Sequence, residues 1–266
     1  MDLGIVMIWV NEMKVRKYNQ TAGFALLIWL SLAATLTAQN AAEIIREMDQ
    51  VMRGESSYSE MTMKIERPRY DREVSMKAWA KGDDFSLILI TAPDRDRGTA
   101  YLKRNSEIWN YVPNIDRTIK MPPSMMSQSW MGSDFTNDDL VRESSTVDDY
   151  EHKILREETY RGMETWVLEL IPHPETPVVW GKVIVWVSKE DYLQLRSEQY
   201  DQQNELASTI EFDEIEVMDE RKIPTKLTMT PADKPDHHTI LKYNELEFNI
   251  DIKESFFSKA NMKRVR

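Results

Sequence analysis

Three neighbouring stretches decide the fold: Glu60-Met61-Thr62-Met63-Lys64-Ile65, Val74-Ser75-Met76-Lys77-Ala78-Trp79-Ala80 and Phe85-Ser86-Leu87-Ile88-Leu89-Ile90. In the first, Met61, Met63 and Ile65 alternate with Glu60, Thr62 and Lys64. In the second, Val74, Met76, Ala78 and Ala80 alternate with Ser75, Lys77 and Trp79. A period of two is that of a strand with one buried face. The third reads as a short apolar run, which suits a strand covered on both sides.

The pattern continues downstream. Thr99–Lys103, Glu107–Val112 and Arg117–Met121 read as short strands, separated by turns at Arg104-Asn105-Ser106 and Pro113-Asn114-Ile115-Asp116. Further strands read at His152–Thr159, Thr165–Ile171, Lys182–Ser188, Leu193–Tyr200, Ser208–Val217, Thr225–Met229 and Thr239–Ile250. Short strands at regular spacing point to a meandering antiparallel sheet and not to βαβ units. Upstream the period changes. Ile44, Ile45, Met48, Val51 and Met52 share one face of a helix predicted from Ala41 to Arg53, capped by Asn40 and ended by Gly54.

The first forty residues read as an address. Met13-Lys14-Val15-Arg16-Lys17 is a basic start, Ala22 to Thr37 is almost wholly apolar, and Ala38 precedes a polar stretch. That is the order of a secretory signal peptide over residues 1–38. Asp2 and Glu12 do not suit its basic region, so translation is expected to start at Met13. Leu36 sits where a small residue is preferred before the cut, which leaves an uncleaved N-terminal anchor as the alternative. Residues 39–266 then form one domain.

Composition narrows the function. The chain of 266 residues carries 34 Lys+Arg and 45 Asp+Glu, a net charge of −11. Losing Lys14, Arg16 and Lys17 with Asp2 and Glu12 would take it to −12. Such a surface lacks the basic face a nucleic-acid binder needs, and it disfavours adhesion to anionic headgroups. The absence of cysteine removes disulfides, thiolate nucleophiles, zinc–thiolate sites and lipid attachment through cysteine. Eight glycines, none spaced G-x-G, remove the phosphate-cradling loops.

Candidate chemistry is sparse. Asp233, Asp236, His237 and His238 are conceivable metal ligands, but a solvated hairpin tip explains them better. Asp134, Asn137, Asp138 and Asp139 lack the alternating spacing of a calcium loop and suit the first turn of a helix capped by Ser133 or Asp134 and running to Leu140. A Gly-x-Ser-x-Gly elbow is absent. No catalytic residue, metal or cofactor is assigned.

One segment breaks the strand rhythm. Pro122 and Pro123 stop a strand, and Met125, Met126, Trp130, Met131 and Phe135 follow without alternation. Methionine-rich surfaces accept varied apolar partners. The segment is either a lid over an apolar cavity or a plug in the core, and spacing supports both. Trp109 and Tyr111 share one face of their strand by parity. With Leu87 and Leu89 they are assigned to the wall of that cavity, and the five residues of the excursion to its lid.

Taken together, these motifs resemble the outer-membrane lipoprotein-sorting proteins, a LolA-like group. The resemblance rests on MTMKIERP (61–68), DRDRGTAYL (94–102), IWNYVPNIDRTIKMPPSMM (108–126), SWMGSDFTNDDL (129–140), VVWGKVIVWV (178–187) and ESFFSKANMK (254–263). It implies a mainly β fold with a few helices: an incomplete, strongly curved antiparallel β-barrel with helices over its concave face. It further implies a monomeric, non-lipidated periplasmic carrier. Such a carrier takes the acyl chains of lipoproteins, or another lipid, and works with an inner-membrane transporter, an outer-membrane acceptor, or both. An envelope sensor or assembly factor on the same fold, and a lipid or glycan hydrolase, are the alternative readings.

Overall fold

Strand alternation reaches from residue 56 to residue 248, and every alternating stretch becomes a strand of one sheet. The computed structural model describes residues 41–142, 145–174, 176 and 178–265. Helix α1 spans 41–53. It is followed by β1 (Ser56–Arg67), β2 (Tyr70–Lys81), β3 (Phe85–Ala92), β4 (Ala100–Arg104), β5 (Glu107–Val112) and β6 (Arg117–Lys120). After a long connection come β7 (Tyr150–Tyr160), β8 (Met163–Pro172), β9 (Lys182–Ser188), β10 (Gln194–Tyr200), β11 (Leu206–Met218), β12 (Arg221–Pro231) and β13 (His238–Phe248). A short α2 (Lys259–Met262) ends the described chain. The signal peptide and the Asn40 cap lie outside the described residues.

All thirteen strands form one antiparallel sheet in the order β6-β5-β4-β3-β2-β1-β13-β12-β11-β10-β9-β8-β7. The sheet is not closed into a barrel. The fold is mainly β with few helices, an incomplete antiparallel sheet as the resemblance implies. β1 and β13 pair at its centre, from Ser57↔Phe248 to Glu66↔His238. Each half meanders outward from that pair, so β6 and β7 occupy opposite edges.

This topology explains the break in strand rhythm. The connection from β6 to β7 must travel from one edge to the other. Thirteen strands set about 4.8 Å apart would separate the edges by roughly 60 Å in a flat sheet. The 29 residues between them (121–149) can curl and still cross because the sheet bends toward them. The connection runs over one face, here called inner.

Two covers share the inner face. Ala41, Ile44, Ile45 and Met48 of α1 pack on Leu168, Leu170, Val185 and Val187 of β8 and β9. Met126, Trp130, Phe135 and Val141 of the connection pack on Met61, Met63, Ile65, Val74, Met76, Ile88 and Ile90 of β1–β3 and on Ile210, Phe212, Met229 and Leu241 of the other half. Gly54 ends α1 at φ +62°, its N–H donating to Gln50 O at 3.2 Å. A Cβ there would meet Asn249 Oδ1 at 3.1 Å and Phe248 at 3.3 Å, so conformation and space both favour glycine.

The outer face has its own cover. Ile252, Phe257 and Met262 of the C-terminal segment pack on Leu87, Leu89, Ala100, Leu102 and Trp109. Among the described residues no helix is long and apolar enough to cross a membrane.

Candidate binding site

The inner face changes composition along its strands. Met61, Met76 and Ile90 lie side by side across β1, β2 and β3. One row further along are Ser59, Ala78 and Ile88, and beyond them Ser57, Ala80 and Ser86. Large side chains thus meet the Met-rich connection, while serines and alanines leave space between it and α1. A recess of about 350 Å³ occupies that space, within the range of small-molecule sites. Met48 and Met52 of α1, Trp130 and Phe135 of the connection, and Ile210, Phe212 and Leu241 of the sheet also line it.

The connection is fastened at two points along its crossing. Arg67 and Asp134 form a two-pronged ion pair, Nη1 to Oδ2 and Nη2 to Oδ1 at 3.0 Å each. Both side chains are only 8% exposed, so the pair works in a low-dielectric setting and not as a screened surface contact. Thr239 Oγ1 donates to Asp134 Oδ2 at 2.7 Å and accepts from Asp134 N–H at 3.0 Å. Arg72 Nη1 donates to Met131 O at 2.5 Å, and its Nη2 to Asp96 at 2.8 Å.

The second fastening centres on Asp139. Its Oδ2 accepts from Thr136 N–H and Thr136 Oγ1, both at 2.7 Å, while Thr136 Oγ1 accepts from Asp139 N–H at 3.2 Å. Its Oδ1 accepts from Trp180 Nε1 and Gln199 Nε2, both at 2.9 Å. Ser208 Oγ donates to Gln199 Oε1 at 2.5 Å and fixes that amide. The connection is therefore tied to β10 and β11 through a chain of buried polar groups.

The helix expected from Ser133 or Asp134 to Leu140 starts later. A single π-helical turn covers Asp138–Arg142, and Thr136, not Ser133 or Asp134, supplies the reciprocal cap. Asp134 cannot cap because Arg67 and Thr239 occupy its carboxylate. Ser129 instead bridges Thr136 in antiparallel fashion, which keeps residues 129–136 in a tight loop.

The five residues assigned to the lid come together. Met126, Trp130 and Phe135 are buried in the inner core, and Met125 and Met131 pack against it. The Trp130 ring lies 5.6 Å from that of Tyr101. The Trp130 indole N–H is buried without a hydrogen-bond partner among the described residues.

The four residues assigned to the wall lie elsewhere, and this corrects the expectation. Leu87, Leu89, Trp109 and Tyr111 are grouped on the outer face under the C-terminal segment. Lys259 sits over the Trp109 ring at 4.7 Å, and Lys263 over Tyr111 at 5.1 Å. The cause is strand phase. β3 is apolar on both faces, so composition did not tell which alternate set turns inward, and Ser86, Ile88 and Ile90 do. The recess is bordered by small residues that large-side-chain reasoning passed over. Their signal was present in Ser57, Ser59, Ala78 and Ala80, which interrupt the Met and Ile series at the inward parity. Among the described residues no group of three or more His, Asp or Glu is placed to hold a metal ion; His238 opens β13, and its Nδ1 lies 2.9 Å from Thr230 Oγ1.

Comparison with known proteins places the architecture. A family model described as "Uncharacterized protein" matches residues 82–264. No curated protein matches the chain. A DUF1329 family protein from Desulfovibrio piger superposes with a TM-score of 0.78 at 25% identity, covering 85% of this chain and 99% of its own. A domain from Vibrio parahaemolyticus, described as a candidate outer membrane lipoprotein-sorting protein, superposes with a TM-score of 0.76 at 26% identity, covering 85% and 100%. A LolA superfamily protein from Nitrosomonas europaea gives 0.73 at 24% identity, covering 84% and 98%, and speaks for the fold alone.

Proposed function

The chain belongs to the family described as "Uncharacterized protein", matched over residues 82–264, and has the LolA-like fold, and from that premise we propose that it is a non-catalytic carrier of lipid acyl chains. The observation that carries this reading is the recess between the inner face and its two covers. An open sheet with an apolar face has no need of such a gap for stability, since unfilled space forfeits dispersion contacts. Space bounded by Met48, Met61, Met76, Phe135 and Ile210 suits a flexible apolar ligand.

The physical task of such a carrier is simple. An acyl chain crosses water at a cost of about 0.8 kcal/mol per exposed CH₂. A protein that covers it removes most of that cost and breaks no bond. Trp130 and Phe135, with Met125, Met126 and Met131 behind them, form the movable wall, since they belong to a connection and not to the sheet. Export of residues 39–266 behind a signal peptide at 1–38 puts the carrier in the periplasm. There it would receive a lipoprotein or other lipid from an inner-membrane transporter and pass it to an outer-membrane acceptor.

Titration of the purified chain with a fluorescent fatty-acyl probe tests this. Saturable uptake with one probe per chain, displaced by unlabelled lipid, is the expected result. A probe that stays in water or micelles at every protein concentration contradicts it.

A further inference from the structure

The walls of the recess carry more information than their apolarity. The acidic side chains Asp49, Asp138 and Asp139 line it. Arg53 is the one cation among its described lining residues, and it is held by Asp49 at 3.2 Å and Asp83 at 3.3 Å. Four serine hydroxyls also line it: Ser57 and Ser59 on β1, Ser86 on β3 and Ser197 on β10. Ser59 and Ser86 are each 7% exposed and Ser197 is 3% exposed.

Resting on the carrier reading, we propose that the recess selects an acyl chain with an uncharged polar end, an ester or amide, and rejects a free fatty acid. A carboxylate brought into this site would lose its water and face three acidic side chains, with the one guanidinium among the described lining residues already engaged. An ester carbonyl loses far less on dehydration and is matched by hydroxyl donors. The gradient along the sheet orients it. The alkyl end lies toward Met61, Met76 and Ile90, and the polar end toward the Ser57, Ala80 and Ser86 row.

The test compares two probes of one chain length on the full chain at pH 8: monopalmitoylglycerol and palmitate, each below its aggregation threshold, each displacing a fluorescent acyl probe. The ester is expected to bind at least about 10-fold more tightly, the discrimination that one buried unpaired charge commonly produces. The double variant Ser59→Ala, Ser86→Ala should weaken the ester about 3- to 10-fold, as loss of one or two hydrogen bonds does. It should fold as the parent does, because alanine already occupies the neighbouring positions Ala78 and Ala80. Asp49→Asn should narrow the ratio of ester to palmitate affinity, which a merely structural role of Asp49 would not do. Equal affinity for the two probes, or an ester affinity indifferent to both serines, overturns the inference while leaving the carrier reading intact. Failure of every acyl probe to bind overturns both.

Discussion

Arg67 and Asp134 are 67 positions apart and meet as a buried pair that fixes the connection over the inner face. Asp134→Ala would leave the guanidinium buried and unpaired, so chemical denaturation should show a loss of about 3–5 kcal/mol. A loss under 1 kcal/mol would mean that water reaches the site. Trp130 is the converse case, a fully buried side chain whose N–H lacks a partner among the described residues. Trp130→Phe removes the unpaired donor and keeps a ring, whereas Trp130→Ala empties the centre of the core at about 3–5 kcal/mol. The first variant should therefore be much the more stable of the two by thermal unfolding. Beside it, burial and then the charge of Asp96 push the Tyr101 hydroxyl up to about 12. An unfolded tyrosine ionises near 10. Between those values the unfolded chain gives up a proton that the folded chain keeps, so stability contributed by neutral Tyr101 is intact below pH 10 and lost as pH rises toward 12. The urea midpoint measured from pH 9 to 12 should fall less steeply in Tyr101→Phe than in the parent. Such pairings were not legible in the sequence. Asp134 looked like a helix cap because nothing local shows that a distant arginine claims it.

At the scale of elements, local pattern was a good guide wherever one period dominated. The helix over 41–53 and the strand Glu107–Val112 follow directly from it. It failed for β3, where both faces are apolar and parity alone has no sign. It also could not choose between lid and plug for the Met-rich connection, because the two differ only in what the segment does when a ligand arrives. The fastening at Asp139 bears on that. Replacing Asp139 with alanine releases Trp180, Gln199 and the Thr136 cap together. Hydrogen bonds to a charged group are worth about 1.5–3 kcal/mol each, so amides of residues 126–139 should exchange at least about 10-fold faster in hydrogen–deuterium exchange. Exchange of β1 and β13 should stay as in the parent. Uniform acceleration across the sheet would instead identify the connection as part of the global core.

At the scale of the molecule, the unusual feature is that one sheet has its two free edges joined by a single crossing segment. That arrangement follows from pairing the first strand with the last, a long-range contact no window of sequence contains. It makes the inner face a place that is covered but not sealed, by α1 on one half and the connection on the other. The strands, the meander and the LolA-like resemblance were legible beforehand; the recess was not, because it is made by small residues in register across three strands and by the gap between two covers. The most direct test of the carrier account is native mass spectrometry of the full chain purified gently from a cell envelope. The account predicts a bound species of acyl-lipid mass, one per chain, lost on mild activation. A bare chain mass, together with no uptake of added acyl lipid, would contradict it.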